Sequence, residues 1–309
     1  MKTKNFIRNI IPFNNAQEMP TALYIIKKML AFFLIYGLSA VLGEAIIIGV
    51  LSAMGYDPLN GVMPSGHLGE LLQYYGFAVF FIVTVLYCKL IEKRKLNTLG
   101  FNKKGLDYLF GGAVAILLLA VIIGLCCVNG VLGFSGVATG IDVGYLIALF
   151  FAFLIQSLAE ETICRGFLLP SLSKKTSLPL AIFVSSTAFA LPHLSSLLSA
   201  DTQFAVVGII NLYLVSVIFS LLFVLRSNIF IVSGLHCVWN FVLNGVMGLS
   251  VSGSDSNASG VLNFEVHSSN ILNGGVYGLE ASIITTVVLG ISAVVLAIIC
   301  HKRGVKNGL

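Results

Sequence analysis

The sequence predicts an all-α, polytopic bundle of about eight transmembrane helices with both termini in the cytoplasm. Composition is the first reason: 57% of the 309 residues are hydrophobic and only 10% charged, with a mean hydropathy of +0.98. A soluble domain keeps about a quarter of its residues charged, so most of this apolar surface must face lipid. The second reason is that the basic residues cluster on one side of the apolar runs, as retained cytoplasmic cations do.

An apolar run of about 20 residues spans a hydrocarbon core of about 30 Å at 1.5 Å per residue. Eight such runs occur in order, over residues 29–53, 70–90, 109–130, 144–168, 178–199, 203–225, 229–250 and 278–300. Lys2, Lys4, Arg8, Lys27 and Lys28 precede the first run, and Lys89, Lys93, Arg94, Lys95, Lys103 and Lys104 follow the second. Arg165, Lys174 and Lys175 follow the fourth, Arg226 the sixth, and Lys302, Arg303 and Lys306 the eighth, which completes the 18 basic residues. The opposite connections hold acids alone: Asp57, Glu70, Asp142, Asp201, Asp255, Glu265 and Glu280. Seven or nine spans would break this separation.

Residues 1–28 are expected to form a cytoplasmic or interfacial segment, residues 29–300 a single membrane domain, and residues 301–309 a cytoplasmic tail. The polar lead is too long for a cleaved signal, and residues 5–13 suit the interface. The net charge of +5 belongs to loops lying against anionic lipid, and no basic, aromatic patch points to nucleic acid. Residues 251–275, rich in Ser, Asn and Gly, are expected to be a flexible outer loop with His267 solvated. Cys88, Cys126, Cys127, Cys164, Cys237 and Cys300 lack CxxC spacing and suit burial as small hydrophobes. Gly37, Gly43, Gly111, Gly112 and Gly290 are expected where helices pack closely.

An ionisable group at membrane depth is costly and marks a functional candidate. Glu44, Glu160, Glu161, Arg165, His193 and His236 qualify, with Asn240 as a polar companion. Glu44, alone in its run, is expected to be structural. Glu160 and Glu161 are about 100° apart on a helix, so they need different partners. Glu161 and Arg165 stand at i and i+4, the order that favours an ion pair. Glu160 is left without a local cation and suits a general base.

The turn at residues 173–177 lies midway between Glu160 and His193. Antiparallel helices joined there would hold the two at nearly equal height, with Glu160 about 6 to 10 Å above the cytoplasmic boundary. His236, seven residues into its span, lies about 10 Å above the same boundary. Asn240 and Asn244 continue the face of His236 at steps of four. Pro170 is expected to bend the fourth helix and Pro192 the fifth.

These residues resemble the motifs of the type II CAAX prenyl endopeptidases, the CAAX protease and bacteriocin-processing family of intramembrane proteases. EExxxR appears at Glu160, Glu161 and Arg165, FxxxH at Phe189 and His193, and HxxxN at His236 and Asn240. The motif-bearing stretch covers about residues 145–245; the earlier part matches only as apolar spans. The resemblance implies a glutamate-dependent endopeptidase in which Glu160 and His193 activate water, His236 and Asn240 stabilise the oxyanion, and Glu161 and Arg165 hold the helix. It implies a lipidated or amphipathic peptide substrate, with membrane lipids as partners, and, for a prokaryotic host, the bacterial plasma membrane as its location.

No cofactor is expected. The alternative is zinc held by Glu160, His193 and His236, although no HExxH helix is present. Two other classes compete: a non-catalytic bacteriocin-immunity or scaffold protein of the same fold, and a transporter using Glu160 and His193 as a proton relay. The intact motifs disfavour the first, and the lack of internal repeats the second.

Overall fold

The computed structural model describes residues 9–253 and 260–305. Lys2, Lys4, Arg8, Asp255 and Lys306, and the ends of the expected interfacial segment and tail, lie outside the described residues.

Eight helices are long and apolar enough to cross a membrane: α1 (Thr21–Ala53), α2 (Leu68–Leu90), α3 (Asp107–Val128), α4 (Val143–Ser173), α5 (Leu178–Leu198), α6 (Thr202–Arg226), α7 (Ile229–Val246) and α8 (Ile283–Lys302). The chain is a multi-pass integral membrane protein with a helical bundle fold. α7 is the most enclosed of the eight, as a helix surrounded by helices must be.

Glycine explains how α7 reaches that position. A Cβ on Gly111 of α3 would lie 1.9 Å from the Ile231 carbonyl oxygen, and one on Gly234 of α7 would lie 2.1 Å from the Tyr108 carbonyl oxygen. The two backbones touch where neither carries a side chain. Gly112 also meets α7, and Gly43 faces the Gly76 carbonyl of α2. Gly37 and Gly290, expected at helix contacts, instead face open space.

Two helix starts differ from expectation. α1 begins at Thr21 and takes in Lys27 and Lys28, both fully buried. Lys28 pairs with Glu92 at 2.5 Å, and the Lys27 ammonium donates to Asn14 Oδ1 and the Ala16 carbonyl. Satisfied in this way, the two ammonium groups can occupy a helix interior that their charge alone would forbid. α8 starts later than expected, because Gly274, Gly275 and Gly278 adopt left-handed φ values of 80°, 59° and 96°. Ser282 then caps the helix by accepting from the amides of Ile284 and Thr285.

α4 continues past Arg165 through a π-helical stretch, Thr162–Leu168, that ends just before Pro170. Pro170 has no N–H to offer the carbonyl one turn earlier. The Gly166 carbonyl accepts from Arg94 Nη2 at 3.0 Å instead, and the Phe167 carbonyl from Arg94 Nη1 at 3.2 Å. Beyond this point the Tyr24 hydroxyl donates to the Ser171 carbonyl, and the Lys175 ammonium to the carbonyls of Gln17 and Met19. The N-terminal turns of α1 and the end of α4 thus form one layer with the basic connections.

The segment expected to be a loop contains a strand. β1 (Leu132–Val137) pairs antiparallel with β2 (Leu262–Val266), with an irregularity between Phe134 and Gly136. The alternation in LNFEV is too short to stand out beside the Ser, Asn and Gly around it. His267 is exposed, as expected of a solvated group.

Candidate active site

Glu161 and Arg165 are both fully buried, with Arg165 Nη1 3.1 Å from each Glu161 oxygen. Arg165 Nη2 donates to the Ser216 carbonyl at 3.1 Å and the Ser216 hydroxyl at 2.5 Å, and the Ser216 hydroxyl to Ser186 Oγ at 2.9 Å. The guanidinium carbon lies 4.5 Å from the Phe189 ring centre and 5.1 Å from that of Phe219. One charge thereby ties α4 to α5 and α6. A buried cation persists only when paired and hydrogen-bonded to this degree.

His236 stands between the two carboxylates. Its Nδ1 is 3.1 Å from Glu161 Oε1, and its Nε2 is 3.8 Å from Glu160 Oε2. A carboxylate engaged with Arg165 can only accept, so Nδ1 carries the hydrogen. Glu160 and Glu161 were expected to need separate partners, and both instead face the same ring. The imidazole lies in the sector between the two side chains and offers each a different nitrogen. It is held there by stacking on Phe219, with centres 5.3 Å apart, and by the edge of Phe189.

Glu160 is the less engaged carboxylate. Its Oε2 is buried without a hydrogen-bond partner. Its Oε1 accepts a long bond, 3.4 Å, from Gln156 Nε2, and Gln156 Oε1 accepts one of 3.4 Å from Asn240 Nδ2. Gln156 therefore links Glu160 to Asn240, a role not assigned to it from sequence. Its position one turn before Glu160 on α4 was the available signal.

The Ser185 hydroxyl donates to the Cys164 carbonyl at 3.0 Å, which ties α5 to the π-helical stretch of α4. His193 ends the 3-10 turn Leu191–His193 set by Pro192, and its Nδ1 lies 3.0 Å from the Phe189 carbonyl oxygen. That bond leaves Nε2 for other partners.

His193, His236 and Asn240 line one pocket, whose empty volume of about 530 Å³ includes space open to solvent, and Glu160 is not among its lining residues. The pocket runs outward between α5, α6, α7 and α8 to Tyr277 and Glu280. Asn244 does not extend this face: it lies in the π-helical turn Val242–Val246, where steps of four no longer repeat. Glu44 is exposed on α1, away from this group. Cys164 and Cys237 are buried.

The alternative zinc ligands are not gathered as a set. Among the described residues no group of three or more His, Cys, Asp or Glu is arranged to hold a metal ion. His236 directs its nitrogens to the two carboxylates, and His193 lies outside ion-pair distance of either.

Residues 142–242 match the family described as type II CAAX prenyl endopeptidase Rce1-like. The matched stretch contains all three motifs and the Gln156 link. No curated protein matches the chain.

Proposed function

We propose that the chain is a glutamate-dependent intramembrane endopeptidase acting on a lipidated, CAAX-type or other membrane-associated peptide near the cytoplasmic membrane face. The single observation that carries this reading is the contrast between adjacent carboxylates. Each carboxylate keeps one buried oxygen without a hydrogen bond, but that of Glu161 lies 3.1 Å from the Arg165 guanidinium, while Glu160 Oε2 has only His236 Nε2, at 3.8 Å, within ion-pair distance. The family match over residues 142–242 supports it independently.

In the proposed reaction, a water within reach of Glu160 Oε2 gives its proton to that carboxylate as its oxygen bonds the scissile carbonyl carbon. The carbonyl π electrons move to oxygen, and the oxyanion is met by the Asn240 amide and by His236 in its imidazolium form, which donates from Nε2 while its Nδ1–H stays on Glu161. Asn240 can turn to it readily because its bond to Gln156, at 3.4 Å, is at the weak limit. The tetrahedral intermediate then breaks its C–N bond, and the leaving amine takes the proton held by Glu160. His193, which lines the pocket, presents Nε2 as a second acceptor for the water.

The test is cleavage of a quenched fluorescent peptide carrying a farnesylated CAAX end, and of an unlipidated amphipathic control, by purified protein in detergent. Glu160→Gln is expected to reduce kcat by at least about a thousandfold with the fold intact. Undiminished cleavage by Glu160→Gln would overturn the mechanism.

A further inference from the structure

Glu280 lines the outer end of the pocket, and its carboxylate receives Trp239 Nε1–H at 2.9 Å, the Ser252 amide N–H at 2.5 Å and the Ser252 hydroxyl at 3.4 Å. Those donors are neutral. Among the described residues Glu280, which is half-buried, takes part in no ion pair, whereas the buried Glu161, Lys28 and Asp107 each do. Asn211, only 2% exposed, lines the same end. Its Nδ2 donates to the carbonyls of Glu280 and Ser282, both at 2.9 Å, which fixes which way the amide points. Its Oδ1 is buried with no partner.

The carboxylate without a counter-cation attracts a positive charge and the orphan amide oxygen accepts from an N–H donor, and an ammonium group supplies both. The same pocket is lined by the apolar and aromatic side chains of Phe189, Phe219, Leu289 and Trp239.

We propose that this end of the pocket is a substrate subsite for an alkylammonium group, the end of a lysine side chain or a free peptide N-terminus. The proposal rests on the assignment of the pocket to the substrate and adds a specificity determinant. Glu280 and Asn211 would receive the ammonium, the apolar walls its methylene stem, and the scissile bond would lie at the His236 and Asn240 end.

Trp239 is the only tryptophan in the chain, so its fluorescence reports on this subsite without any cleavage. The full-length protein in detergent is titrated with n-butylammonium and with 1-butanol, its uncharged counterpart. A saturable change in emission with butylammonium alone is expected, with affinity falling at least about tenfold in Glu280→Gln and retained in part in Glu280→Asp. Thermal melting confirms folding, and Asn211→Asp, which adds charge at the orphan position, is expected to tighten butylammonium binding. A second arm compares cleavage of peptides with lysine, norleucine, and norleucine with an acetylated N-terminus. Preference for lysine assigns the side chain; equal cleavage of the first two with loss on acetylation assigns the N-terminus. Equal responses to butylammonium and butanol in the wild type would overturn the subsite, whatever the cleavage result. Specific butylammonium binding without cleavage of any peptide would leave the subsite standing and overturn the endopeptidase reading.

Discussion

His236 lies between two consecutive carboxylates, with Nδ1 3.1 Å from Glu161 and Nε2 3.8 Å from Glu160. Because Glu161 is also the partner of Arg165, this imidazole couples the buried ion pair to the carboxylate proposed as base.

Glu161→Gln should therefore act on stability first. It leaves the Arg165 guanidinium buried with hydroxyl, carbonyl and ring contacts but no anion, a loss of about 3 to 5 kcal/mol for a broken buried pair. The measurement is the thermal midpoint in detergent, and a midpoint within a degree or two of wild type would show that Arg165 does not depend on Glu161.

Gln156→Leu should act on rate. Its two bonds are long, so the fold depends little on them, but they set the direction of Glu160 and Asn240. A decrease of about tenfold in kcat, with the melting midpoint unchanged, is expected from removing one orienting neutral hydrogen bond. Steady-state kinetics on the fluorescent peptide decide the matter, and an unaltered kcat would leave Gln156 as packing.

Gly111→Ala and Gly37→Ala form a matched pair. The first places a methyl 1.9 Å from the Ile231 carbonyl oxygen, while the second meets nothing within 4 Å. Gly111→Ala should cost about 1 to 3 kcal/mol or more as α3 and α7 are forced apart, and should also lower activity because α7 carries His236 and Asn240. Gly37→Ala should be silent in both assays. Equal effects from the two would remove the close α3–α7 approach as an explanation.

Prolonged treatment with 1,10-phenanthroline should leave peptide cleavage unchanged, since Glu160, His193 and His236 are not arranged as a ligand set. Loss of activity restored by added zinc would reinstate the metal alternative.

Much of this was legible in the residues themselves. Eight spans follow from the length of the apolar runs, because the bilayer thickness sets the number of residues a helix needs. The Glu161–Arg165 pair follows from i, i+4 spacing alone. By sequence Lys27 and Lys28 belong with the cytoplasmic cations before the first apolar run. Their partners, Asn14, Ala16 and Glu92, are set by how α1 meets the segments before it and after α2. Glu280 was legible only as an acid in an outer connection. Its contact with Trp239 spans 41 residues of chain.

The sequence by itself determined what lies within one helix: which runs cross the membrane, and which side chains share a face at steps of four. What lies between helices came from the tertiary structure: one imidazole faces both carboxylates, Gln156 links Glu160 to Asn240, and Glu280 lines the pocket with His193 and His236. The α-helical period is a local property of the backbone and can be counted along the chain. Relative height and rotation depend on where backbones touch, as at Gly111 and Gly234, and on π and 3-10 turns whose rise per residue differs from that of the α-helix.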